Sequence, residues 1–138
     1  MPANTQPVFS RLGDVQWAPA ALLTANTAKD GTGTVSTIFT ADATNGGFVQ
    51  KLLARAIGTN VATVLRVFAN NGAVNTTAAN NALVAEYTLP ATTLSEIAAQ
   101  PDFVVPLNIA LPAGYKLNCT IGTTVAAGYM LSAVGGKY

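Results

Sequence analysis

A chain of 138 residues fits one domain and buries roughly two thirds of its unfolded surface on folding. Half of it is hydrophobic and only 9% is charged, against a usual share of about 25%, which excludes both a disordered chain and a solvated helical bundle. A net charge of +1, with the basic residues scattered from Arg11 to Lys137, excludes a phosphate-neutralising nucleic-acid surface. The remaining polarity is Thr, Asn and Gly, which suits strand faces joined by Asn/Gly turns.

Residues 1–16 read as an N-terminal arm, rich in polar and turn residues, ahead of a single β-sandwich domain over 17–138. The arm's start lacks the basic and apolar regions of a secretion signal. No stretch approaches the roughly eighteen apolar residues of a membrane span, so no membrane partner is expected. Pro19 demotes 17–24 to an edge strand or an extended tether.

From Gly31 the pattern is regular. Residues 34–41 alternate Val35, Thr37 and Phe39 against Thr34, Ser36 and Ile38, and 42–47 form a turn. In 48–57 the apolar residues fit a strand, but Val49, Leu52, Leu53 and Ala56 also fit helical spacing. The short length and the flanking turns favour strand. Residues 61–69 alternate cleanly and end in Asn70-Asn71-Gly72, a strong turn signal. A polar loop over 73–80 leads to a strand over 83–89, which Pro90 stops. Residues 92–100 fit either a loop or a turn or two of helix capped by Thr93 or Ser95. The apolar run 103–111 is interrupted by Pro106, and 115–121 with 127–134 reads as a last hairpin.

One phrase occurs twice. Ile57-Gly58-Thr59-Asn60-Val61-Ala62 returns as Ile121-Gly122-Thr123-Thr124-Val125-Ala126. Each copy lies between two apolar runs, which reads as a β-hairpin. Two similar hairpins are explained either by two related halves or by recurring turn chemistry. About eight strands in two halves predict an all-β, antiparallel jelly roll made of two Greek keys, with an immunoglobulin-like sandwich as the alternative.

Chemistry is sparse. Without histidine there is no Ser-His or Cys-His nucleophile and no His-metal site. Cys119 keeps phase with Tyr115, Leu117 and Ile121, as a small core residue does. The six carboxylates show no calcium-loop spacing, and Glu86 is best explained by pairing with Arg66 on a neighbouring strand. Gly31-Thr32-Gly33 and Gly46-Gly47 lack the Lys-Ser/Thr and the helix of a phosphate loop. No enzyme activity, metal or cofactor is expected. Tyr87, Tyr115 and Tyr129 sit on strands and read as half-buried. The candidate protein-contact residues are Phe9, Arg11, Trp17 and Tyr138, in the terminal segments.

The phrases Thr24-Ala25-Asn26-Thr27-Ala28-Lys29-Asp30-Gly31-Thr32-Gly33-Thr34-Val35 and Gly58-Thr59-Asn60-Val61-Ala62-Thr63-Val64-Leu65-Arg66-Val67-Phe68 resemble small virion proteins of tailed bacteriophages. So do Leu89-Pro90-Ala91-Thr92-Thr93 and Leu111-Pro112-Ala113-Gly114-Tyr115. The resemblance covers about residues 20 to 138. It implies a capsid cement (decoration) protein with a jelly-roll core, made in the host cytoplasm and carried on the capsid surface. Such proteins sit on the shell as homotrimers and clamp subunits of the major capsid protein. No functional residue set carries over with it. A receptor- or carbohydrate-binding module of a tail fibre or baseplate is the alternative, using loop Asn pairs that turn formation also explains.

Overall fold

The computed structural model describes residues 10–138. Eight strands form two antiparallel four-stranded sheets: β1 (Leu12–Trp17), β8 (Tyr129–Lys137), β3 (Gly47–Ala56) and β6 (Phe103–Leu111) in one, and β2 (Ser36–Thr40), β7 (Lys116–Ile121), β4 (Thr63–Asn70) and β5 (Asn81–Leu89) in the other, each in that order. The first strand pairs with the last, the second with the seventh, the third with the sixth and the fourth with the fifth. That is one long antiparallel ribbon, rolled so that β3 also meets β8 and β4 meets β7. The expected eight-stranded jelly roll is therefore the fold, and the immunoglobulin-like order is not. Advancing each strand by four places turns one sheet's order into the other's, so the fold has two equivalent halves.

Alternation fills the space between the sheets. Leu65 and Val67 of β4, Leu117, Cys119 and Ile121 of β7, and Tyr129, Leu131 and Ala133 of β8 all face inward and are buried. In β3 the inward positions are Val49, then Leu52, Ala54 and Ala56. A register shift between Val49 and Lys51 inserts Gln50 and flips the parity of the strand. That bulge is why 48–57 also fits helical spacing: two inward residues stand three apart. On β6, an edge strand, Pro106 sits beside the same irregularity, where a missing N–H is tolerated.

Two expectations need correcting. Neither copy of the repeated phrase closes a hairpin. β3 and β4 lie in different sheets, as do β7 and β8, so each copy carries the chain across the sandwich, a gap of about 10 Å. Among the described residues only β4 and β5 are consecutive strands that pair. The second correction concerns the arm. Leu12 to Gln16 are not part of an extended tail but lie in β1, hydrogen-bonded along β8. Residues 92–100 form no helix, although Ser95 Oγ accepts the amides of Ile97 (3.2 Å) and Ala98 (3.1 Å) as a cap would. No helix of the described residues is long and apolar enough to cross a membrane.

Candidate functional site

The two copies of the repeat lie side by side at one end of the sandwich and are tied together. Asn60 is buried; its Oδ1 accepts the amides of Ala127 (2.9 Å) and Gly128 (2.8 Å), and its Nδ2 donates to Gly128 O (3.1 Å). Thr63 Oγ1 accepts from Thr123 N at 2.9 Å and reaches Thr123 O at 3.3 Å. The connection from β5 to β6 joins the same end. Thr92 Oγ1 donates to Gly58 O at 2.8 Å, and Asn60 and Thr92 exchange main-chain bonds of 3.1 and 2.9 Å. From the connection between β1 and β2, Leu23 O accepts Val125 N at 3.0 Å. Buried polar groups satisfied in this way fix loops as firmly as strands.

This fixed end shows apolar side chains to solvent. Ile57 and Val61 belong to the first copy of the repeat, and Leu94 and Ile97 stand on the β5–β6 connection, with Ile97 99% exposed. Leu94 is held at its backbone, its amide donating to Thr59 Oγ1 at 3.0 Å. Rigid, exposed apolar residues lose little entropy on docking, and they fit a protein surface better than a polar ligand. The sequence had placed Leu94 and Ile97 in a loop or short helix; nothing in their spacing showed that they would stay uncovered.

The four residues named from the sequence do not form one site. Phe9 lies outside the described residues. Arg11 and Trp17 stand at opposite ends of β1, about 20 Å apart at a rise of about 3.3 Å per residue. Arg11 is exposed and its amide donates to Lys137 O. Tyr138 is half-buried beside that end, its amide 3.4 Å from Gly46 O. Trp17 is 65% exposed on the outer face of the first sheet, in a row with Ser132, Leu53 and Val104.

Several titratable groups are engaged locally. Glu86 pairs with Arg66 directly across β4 and β5, Nε to Oε1 at 3.0 Å, as the sequence suggested. Asp102 pairs with Arg55. The hydroxyl and then the amide of Thr32 hold the Asp30 carboxyl below its ordinary range, and the amides of Asn45 and Thr44 do the same for Asp42. Burial pushes the Cys119 thiol far above its usual range, so it is a core residue and no nucleophile. Among the described residues no three His, Cys, Asp or Glu side chains gather as metal ligands.

The loop asparagines are also consumed. Asn70 bonds to Asn81 (2.8 Å) and accepts Gly72 N (2.8 Å), and Asn71 bonds to Asn80 (3.1 Å). A cleft of about 780 Å³ between residues 19–27 and 33–37 is lined by no charged and no aromatic side chain, so it offers neither ion pairing nor a stacking platform.

No family model and no curated protein matches the chain. Among solved structures it is similar to one of the infectious bursal disease virus Gx strain, at 16% identity and a TM-score of 0.34, over 98% of this chain and 35% of that one. The chain thus spans about a third of that protein's length. What the fold and the loop end define is a class: a jelly-roll β-sandwich with a hydrogen-bonded end that presents apolar side chains.

Proposed function

We propose that this chain is a structural protein of a virion, a capsid cement (decoration) protein that binds the outer surface of a phage head and bridges subunits of the major capsid protein. The observation that carries the proposal is the loop end: Ile57, Val61, Leu94 and Ile97 are exposed on connections locked by Asn60, Thr63 and Thr92. Low charge supports it, because close-packed copies bury few unpaired ions. So does the resemblance of residues 20 to 138 to small virion proteins of tailed phages. The role is non-enzymatic and needs no cofactor, and the resemblance implies that the protein acts as a homo-oligomer, a trimer.

The test is co-sedimentation of the purified protein with expanded phage heads stripped of their accessory proteins. Saturable binding at a fixed copy number, absent from unexpanded heads, is the expected result. Binding to neither head form overturns the proposal. A role for the extreme N-terminus is tested by deleting residues 2–9 alone, since a longer deletion removes β1 from the sheet.

A receptor- or glycan-binding module of a tail is the second reading, favoured by one observation: Trp17 stands 65% exposed on an outer sheet face, as a sugar-stacking residue does. A saccharide hit on a glycan array, lost in Trp17→Ala, would establish it.

A further inference from the structure

We infer that β1 is a self-association edge: two copies of this chain pair their first strands antiparallel about a two-fold axis at Val15, joining their first sheets into one. The inference rests on the edge's own geometry and not on the capsid reading, and the dimer it predicts stands against the trimer that the resemblance implies.

Among the described residues β1 pairs only with β8, and its other side is an open sheet edge. Ala18 N donates to Leu131 O at 3.0 Å, continuing the β1–β8 register in which Gln16 faces Ala133. Hydrogen-bonded pairs recur every second residue in an antiparallel ladder. Leu12, Asp14 and Gln16 therefore turn their backbone groups toward β8, and Gly13, Val15 and Trp17 turn theirs outward.

The other three edges are blunted, by devices that natural sheets use against pairing. β6 carries Pro106, which has no N–H, and Asn108 at a φ of 51°. β5 bulges at Val84, between the positions that face Val67 and Phe68. On β2 the Gln16 carboxamide binds Thr40, Oε1 accepting its amide and Nε2 donating to its carbonyl, both at 2.9 Å. Among the described residues β1 has no such guard, and Val15 and Trp17 on it are 55% and 65% exposed.

The edge complements itself. With the axis at Val15, Gly13 of one copy faces Trp17 of the other, Val15 faces Val15, and Asp14 faces Gln16. The outward amides and carbonyls of Gly13, Val15 and Trp17 then meet as three hydrogen-bonded pairs. A Cβ built on Gly13 meets nothing within 4 Å, so there is room for the indole of the second copy to lie over this glycine. Shifting the axis to Asp14 sets two carboxylates directly opposite, which is destabilising. Shifting it to Gln16 pairs Gly13 with Pro19, which has no N–H to give.

The test is the mass of the full chain in solution by light scattering, beside Val15→Pro. The proline removes an N–H that β8 does not use, so β1 keeps its ladder. The wild type is expected to be a dimer and Val15→Pro a monomer with unchanged circular dichroism. A monomeric or trimeric wild type, or a dimer that survives in Val15→Pro, overturns the inference. Should that variant fail to fold, Val15→Cys decides: an axial pair about 5.5 Å apart at Cα lies within disulfide range. Oxidation is expected to give a covalent dimer for Val15→Cys and none for Gly13→Cys, with Cys119 silent in the core. Equal crosslinking at both positions, or at neither, overturns the register.

Discussion

Asn60 grips the backbone of Gly128 from both ends of its carboxamide, Oδ1 accepting the glycine amide at 2.8 Å and Nδ2 donating to its carbonyl at 3.1 Å. The two residues are 68 positions apart, and the contact joins the connection after β3 to the one before β8. Asn60→Ala leaves the part-buried amide of Ala127 and the buried amide of Gly128 without this partner, each costing about 1–3 kcal/mol. A loss of roughly 3 kcal/mol in urea unfolding is expected, since water recovers part of the cost. A loss under about 1 kcal/mol would show that the loops hold without this lock.

Two glycines with the same backbone conformation should respond differently to alanine. Gly46 (φ +79°) and Gly114 (φ +77°) both lie in the left-handed region. A Cβ on Gly46 would stand 2.5 Å from Leu111 O, whereas one on Gly114 meets nothing within 4 Å. Gly114→Ala should cost only the left-handed strain, about 1 kcal/mol. Gly46→Ala adds a clash with backbone that cannot swing aside and should cost at least about 2 kcal/mol more. Thermal melts of the two variants compare them directly.

The Arg66–Glu86 pair sits on a sheet surface, with the Glu86 side chain 51% exposed. A cross-strand pair so placed is worth about 0.2–1 kcal/mol. A double-mutant cycle with Arg66→Met and Glu86→Gln should return a coupling in that range, shrinking at high salt. A coupling of several kcal/mol would point to a dependence on this pair that its exposure does not explain.

Cys119 and Tyr129 make stability fall in alkali. Burial raises both above their ordinary values of 9.0 and 10.0. In the unfolded chain these groups ionise at those ordinary values, while in the folded chain they hold their protons. Above about pH 9 the unfolded state therefore binds fewer protons, and stability declines as pH rises. The full contribution is present below that pH and is lost above it. Urea midpoints should be flat between about pH 7 and 8.5 and drop beyond about pH 9.5, less steeply in Cys119→Ala. Thiol reagents should leave the native Cys119 untouched and label it on unfolding.

The proposed docking residues can be separated from the lock. Ile97→Asp and Leu94→Ser change exposed side chains and should shift stability by less than about 0.5 kcal/mol. Both should weaken head binding at least about tenfold if the loop end is the contact surface. Unchanged binding of the double variant would move the contact elsewhere, with the Trp17 face next in line.

Some of this was legible along the chain. The two-residue alternation of 61–69 and 83–89, the Asn/Gly turns and the absence of histidine gave the all-β class, the pairing of Glu86 with Arg66 and the core role of Cys119. Other features were hidden for identifiable reasons. The Gln50 bulge moves Val49 and Leu52 onto one face and imitates a helix. The strand at Leu12–Trp17 was masked by polar and turn residues around it, because its partner β8 lies more than a hundred residues away.

What the sequence determined by itself is local: which segments extend, where they turn, and that few groups are available for chemistry. These follow from side-chain period and backbone preference, which act over a few residues. What only the tertiary structure decided is which strands are neighbours. An apolar run, a glycine turn and another apolar run look the same whether the chain returns beside itself or crosses to a second sheet. Ile57-Gly58-Thr59 and Ile121-Gly122-Thr123 cross, because Asn60 and Thr63 satisfy backbone groups of Thr123, Ala127 and Gly128, in and just after the second copy and 60 and more residues away. The same long-range packing buried Val125 at 5% exposure and left Val61, its counterpart in the repeat, exposed at 56%.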